Sequence, residues 1–241
     1  MAEKPLKIEG PRRIERAHST EQGESRGLTP TMKLIGGVGV LAVLAVIAWF
    51  VLGGRGEGKN AEAAMELGRV GQFIDQGEYA KAIDGDPTRM IDGKPIRGLK
   101  AIVDEYGSTS AGQAAALQLG DAYLATGKTA EAARSFEVAA EAEEDIIRAA
   151  AQAGLAAVAE SEGKFAKAAE QYDAAAAVFG SEGENAEAAR PLYLLGAATN
   201  FEKANEKEEA IARYREIVMR HSASEQNNVA RLALARYEVE L

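Results

Sequence analysis

Residues 120–129 read GDAYLATGKT, and Gly127-Lys128-Thr129 is the tail of a phosphate-binding loop. Such a loop needs a second Gly five positions earlier and a strand-to-helix turn, so that backbone N–H groups form a nest around the phosphates. Position 122 is Ala, and residues 117–125 carry helical spacing with no strand-like run before them. Gly127 therefore reads as a turn that ends one helix before the next begins. Asp84, Asp86 and Asp92 invite a calcium loop. Counted from Asp84, its fifth and sixth positions would be Thr88 and Arg89 and its twelfth Pro95, where an EF-hand needs an oxygen ligand, Gly and Glu. These residues read as turn chemistry instead.

The remaining catalytic vocabulary is thin. There is no Cys, which rules out a thiolate metal site and a Cys nucleophile. Only His18 and His221 are present, and neither H-E-x-x-H nor G-x-S-x-G occurs. His221 follows Arg220 at the end of a helical run, where a cation suits the helix dipole and a solvated position is expected. No catalytic residue, cofactor site or metal site is expected, and the chain reads as a non-enzyme.

Net charge is −9 over 241 residues, unevenly spread. Residues 1–33 hold seven Lys/Arg against five Glu, a balance of +2, and the remainder hold 21 basic against 32 acidic groups, a balance of −11. An acidic main domain repels phosphate backbones, which argues against nucleic-acid binding.

Residues 34–52 read LIGGVGVLAVLAVIAWFVL, 19 positions without a charge. At about 1.5 Å per residue they reach roughly 28 Å, close to the hydrocarbon thickness of a bilayer. Trp49 and Phe50 sit at one end, where an aromatic belt would place them. The run is longer than a signal-peptide core and follows a long leader, so an uncleaved transmembrane helix over 33–53 is expected. Basic residues favour a cytoplasmic N-terminus, which puts the rest of the chain on the periplasmic face of a bacterial inner membrane. Residues 1–32 are polar, lack apolar periodicity and carry scattered Pro and Gly, so a disordered tail is expected. Gly36, Gly37 and Gly39 would let a neighbouring membrane helix approach closely.

A short linker over 54–59 leads to the main domain, 60–241. Leu119 and Gly120 are followed by Tyr123, Gly127, Ala132, Phe136 and Ala139. Gly163, 36 residues beyond Gly127, is followed by Ala168, Tyr172 and Ala175 at the same offsets, with Leu155 in place of Leu119. Further on, Phe201, Ala210, Tyr214 and Ile217 repeat the set, with Asn205 at the turn, and Gly77, Ala82 and Ile83 mark an earlier copy behind Val70 and Phe73. Small residues fall where two antiparallel helices cross, and large ones fill the gaps between them. The spacing resembles the tetratricopeptide repeat. About four helical hairpins are expected. A closing helix from Asn227 follows, with Val229, Leu232, Leu234 and Tyr237 as its apolar positions.

The first unit is interrupted. Residues 83–98, IDGDPTRMIDGKPIRG, hold Gly and Pro at a density that stops a helix. An irregular loop is expected over 84–94, with helix resuming near Pro95. Arg89, Met90 and Ile91 at its tip are candidate contact residues.

The fold class is therefore all-α: a transmembrane helix followed by a tetratricopeptide-like solenoid. Such solenoids bind proteins or peptides on a concave surface lined by their first helices. By that resemblance the lining here is Leu117, Asp121 and Leu124, then Glu160, then Leu195, Thr199 and Glu202, with Ala114, Ala153 and Ala157 between them. The groove is Ala-lined and acidic, suited to apolar or basic segments. The whole arrangement resembles the bacterial single-span tetratricopeptide proteins that are ancillary Sec-translocon subunits. That resemblance implies an accessory role beside an integral membrane complex, with periplasmic proteins or peptides as further partners. A structural subunit of a respiratory or photosynthetic complex and a self-assembling scaffold are the alternative readings.

Overall fold

Four times the chain joins two helix-forming runs through one residue that tolerates a left-handed backbone, and each time an antiparallel hairpin results. The computed structural model describes residues 58–180 and 183–237. Helices α1 (Gly58–Asp75) and α2 (Tyr79–Asp84) flank Gly77. Helices α4 (Ser110–Ala125) and α5 (Thr129–Ala139) flank Gly127, and α6 (Asp145–Ser161) and α7 (Phe165–Ala177) flank Gly163. The fourth pair, α8 (Glu184–Lys203) and α9 (Lys207–Arg220), flanks Asn205. The turn residues have φ of 71°, 75°, 72° and 63°. One bonding pattern serves all four: the amides of Gly127 and Lys128 donate to the carbonyls of Leu124 and Tyr123 at 3.0 and 2.8 Å, and those of Asn205 and Glu206 to Glu202 and Phe201 at 3.1 and 2.9 Å. Asn can replace Gly there because its short side chain tolerates the left-handed region.

Behind each turn an alanine is sealed where the second helix crosses the first: Ala82, Ala132, Ala168 and Ala210 are all fully buried. In the middle of the stack, Phe136 of α5 lies between two helices that give way to it. A Cβ at Gly120 of α4 or at Gly154 of α6 would come within 2.5 Å of its ring. Tyr172 of α7 meets Gly196 of α8 in the same manner, at 2.9 Å. The second hairpin thus packs on the third, and the third on the fourth, through an aromatic ring seated on a bare backbone. The spacing in sequence marked Gly120 as a close-approach site. Gly154 and Gly196 carry no such local mark, because their partners come from a different hairpin.

Several features differ from expectation. The interval over 84–94 is a β-hairpin rather than an irregular loop: β1 (Gly85–Ile91) and β2 (Lys94–Arg97) run antiparallel, Ile91 opposite Lys94 and Gly85 opposite Arg97. Asp92 and Gly93 make its two-residue turn with φ of 52° and 73°, the double left-handed geometry that Asp-Gly favours. The register breaks between Asp86 and Met90, so residues 87–89 bulge out where Pro87 has no N–H to offer. Asp86 closes this bulge by accepting from the Thr88 amide at 2.9 Å and hydroxyl at 2.6 Å, and those bonds hold its carboxyl below the usual carboxylate range. Helix resumes at Leu99 rather than Pro95, as α3 (Leu99–Tyr106). The architecture is predominantly helical with this one small sheet.

The closing helix α10 (Gln226–Arg236) buries Asn227, Ala230, Ala233 and Leu234 against the fourth hairpin. Val229 and Leu232, expected on its inner side, are 49% and 71% exposed. His221 also departs from expectation. It is fully buried, with Nδ1 3.3 Å from a Glu187 carboxylate oxygen, not solvated. Between α7 and α8 the chain takes a longer path, pinned by Arg190. Its guanidinium donates to the carbonyls of Ala176 and Gly180 at 2.9 Å and to the Glu216 carboxylate at 2.8 Å.

The disordered tail 1–32, the transmembrane span 33–53 with Gly36, Gly37 and Gly39, and most of the 54–59 linker lie outside the described residues. Among the described residues no helix is long and apolar enough to cross a membrane. Helix α1 begins at Gly58, two residues before the expected start of the domain.

Candidate functional site

The first helices α1, α4 and α6 lie side by side, with α4 in contact with both neighbours. Six residues before each turn, the four first helices carry Gly71, Asp121, Ala157 and Thr199. Asp121 is thus a lone carboxyl between positions that offer almost no side chain. No hydrogen-bond donor or cation is in range of it among the described residues, and a Cβ at Gly71 would meet nothing within 4 Å. Asp121 keeps partial contact with water, yet crowding by its own helix and the neighbouring ones pushes its carboxyl up to about 7. An ionisable group held near neutrality by desolvation is the most reactive feature of this face.

The other candidates divide. Leu124 and Leu195 stay partly exposed beside this line. Leu117 is only 3% exposed and belongs to the core, because α4 is contacted by α1, α2, α3, α5 and α6 and has few outward positions. Ala114 is buried with it. Thr199 bonds back to the Gly196 carbonyl at 3.0 Å within its own helix.

Glu160 and Glu202 are joints between hairpins. Glu160 accepts from the Asn200 amide at 2.6 Å and lies 3.3 Å from the Lys203 ammonium, both on α8. Glu202 accepts from the Tyr237 hydroxyl at 2.6 Å and from Arg236 at 3.2 Å, which fastens α8 to the C-terminal cap. The same position of two successive units therefore reaches forward to the next element. Asn200, fully buried, was not among the expected residues. A polar residue at an otherwise apolar helix position was its only signal in sequence.

Arg89, Met90 and Ile91 lie on β1, away from the first-helix line. The Arg89 guanidinium sits 5.6 Å from the centre of the Phe73 ring, Met90 is 55% exposed and Ile91 is half-buried. Arg69 on α1 reaches Asp92 at the hairpin turn at 3.2 Å and Glu66 at 2.8 Å, so the hairpin is strapped to the first helix.

The Gly127-Lys128-Thr129 tripeptide joins two helices, and the Lys128 ammonium stands 5.6 Å from the Tyr123 ring rather than over a backbone nest. A Cβ at Gly127 would touch nothing, so only backbone strain opposes substitution there. Gly127→Val is expected to cost about 1–2 kcal/mol of stability. Lys128→Ala should shift it by less than about 0.5 kcal/mol. Denaturant unfolding of both variants, with and without added nucleotide, checks this; a nucleotide-dependent stabilisation lost in Lys128→Ala would contradict the turn assignment.

Among the described residues no three His, Cys, Asp or Glu side chains converge to hold a metal ion. No family model, no curated protein and no solved structure matches the chain.

Proposed function

We propose that this chain is a membrane-anchored, non-catalytic protein-binding scaffold, an accessory subunit of an integral membrane complex of the Sec-translocon-ancillary kind. Residues 34–52 anchor it, the N-terminus is cytoplasmic and the helical-hairpin domain is periplasmic. The hairpins form a tetratricopeptide-like solenoid, and its first-helix face takes apolar or basic segments of a partner. Asp121 carries this reading. A carboxyl raised toward neutrality, with no donor in range among the described residues, is costly to the free protein and suited to a cation supplied from outside.

The experiment is purification of the full-length protein from membranes in mild detergent, followed by native electrophoresis and protease treatment of spheroplasts. The expected result is co-migration with an integral membrane complex and digestion of the hairpin domain from outside. Migration alone, or protection of the domain until the membrane is lysed, would remove the accessory-subunit reading or reverse the orientation.

A further inference from the structure

The joints between hairpins reuse one set of first-helix positions, and on α1 that set is left open. Counted back from the turn residue, the joint face of a first helix occupies positions 16, 12, 9 and 5. On α4 these are Ala111, Ala115, Gln118 and Ala122, all buried. On α6 they are Ile147, Ala151, Gly154 and Val158, again all buried against the preceding hairpin. On α8 they are Ala189, Tyr193, Gly196 and Asn200; Tyr193 and Asn200 are buried, Ala189 and Gly196 are half-buried, and Gly196 lies beneath the Tyr172 ring.

The corresponding residues of α1 are Ala61, Met65, Gly68 and Gln72. Here Met65 is 59% exposed, where Ala151 and Tyr193 are sealed. A Cβ at Gly68 would meet nothing within 4 Å, where one at Gly154 or Gly196 would strike an aromatic ring at 2.5 or 2.9 Å. Gly68 is an aromatic socket without its ring.

We propose that this outward face of α1 is an open repeat joint that receives an aromatic-bearing helix from a partner chain of the membrane complex. The two joints that place Gly at this position, on α6 and α8, define the occupant; on α4 the position is Gln118. Phe136 has Ala132 four residues before it and Ala139 three after, and Tyr172 has Ala168 and Ala175 at the same offsets, all four alanines fully buried. The partner helix therefore carries Phe or Tyr between small residues at those spacings. Among the described residues, a second copy of this chain has no such helix free. Phe136 and Tyr214 are sealed inside its own stack and Tyr172 is seated on Gly196. Helix α1 starts six residues after the apolar run ends, so the joint lies close to the bilayer, within reach of a surface helix of an integral partner. This inference rests on the accessory-subunit reading and adds the partner's chemistry to it.

A photo-crosslinking amino acid at Met65 in the full-length protein, activated in native membranes and mapped by mass spectrometry, tests the joint. The expected crosslink falls on a helical peptide of another chain with the small–aromatic–small spacing. Gly68→Leu fills the socket without touching this chain's own atoms. It should leave the protein as stable or slightly more so, because Gly is a poor helix former, while lowering both the crosslink and co-purification about tenfold, the effect of losing one central anchor. Crosslinks to residues 1–57, to a second copy or to a peptide without that spacing would overturn the proposal, as would full co-purification of Gly68→Leu. Wild-type protein that migrates alone fails the accessory-subunit reading instead, so the two failures are distinguishable.

Discussion

Gly154→Leu is expected to lower the unfolding free energy of the full-length protein by about 3 kcal/mol. The cause is steric. The Phe136 ring is fully buried, and it is held from both sides: a Cβ at Gly154 would approach it to 2.5 Å, and so would one at Gly120. With the backbone of α4 behind it, the ring has nowhere to retreat, and α6 must move away from α5. Repeat stacks are stabilised mainly between nearest neighbours, so separation at this central joint uncouples the first two hairpins from the last two. Phe136→Ala alone should cost about 3–5 kcal/mol by leaving a cavity. Combined with Gly154→Leu, it makes room for the new side chain, so the double variant should be no less stable than Phe136→Ala. Denaturant unfolding of the three proteins gives the coupling directly. Losses that simply add would show that the two residues do not share this joint.

The contrast between Gly154 and Gly68 also shows what the sequence could and could not reveal. Turn, alanine and aromatic recur at fixed offsets because they act within one hairpin, and those positions are readable from spacing alone. A glycine that matters only because a ring arrives from another hairpin leaves no local mark. The β-hairpin escaped for a different reason. Asp92-Gly93 is a strong two-residue turn signal, but the flanking runs are short, and Pro87 and Arg89 sit in a bulge that hides any alternation. The helix-end position after Arg220 pointed to solvent for His221, yet the ring is fully buried beside Glu187 of α8. On the first-helix face, offsets place these residues on the first helices but carry no information on what each one contacts. Leu117 is core because α4 is surrounded, and Glu160 and Glu202 hold neighbouring elements together. Asp121 is the residue of that line whose chemistry remains available.

Asp121→Asn is expected to stabilise the free protein at pH 8 and to leave it unchanged near pH 4. Desolvation pushes the folded-state carboxyl up to about 7, against an ordinary value of 3.8. The folded state then binds the proton more strongly than the unfolded state does. Between these two values the unfolded chain has already ionised, while the folded one must either keep its proton or pay to lose it. Stability therefore falls as pH rises from about 4 to about 7, and above that the full penalty remains. Asn keeps the shape and removes the charge, so the gain at pH 8 should be about 2 kcal/mol. That is roughly half the value for a sealed carboxyl with this shift, because Asp121 retains some contact with water. The same substitution should weaken the hold on a basic partner segment. A Lys or Arg beside the carboxylate favours the charged form, so partner binding should strengthen from pH 6 to pH 8 in the wild type and lose that slope in Asp121→Asn. Thermal unfolding of both proteins across pH 4–8, with co-purification at pH 6 and pH 8, reads out both effects. Parallel unfolding curves would mean that the carboxyl is well solvated. A pH-dependent stability gain with undiminished partner recovery would move the binding surface away from Asp121, leaving it as a carboxyl buried at a cost with no ligand to offset it.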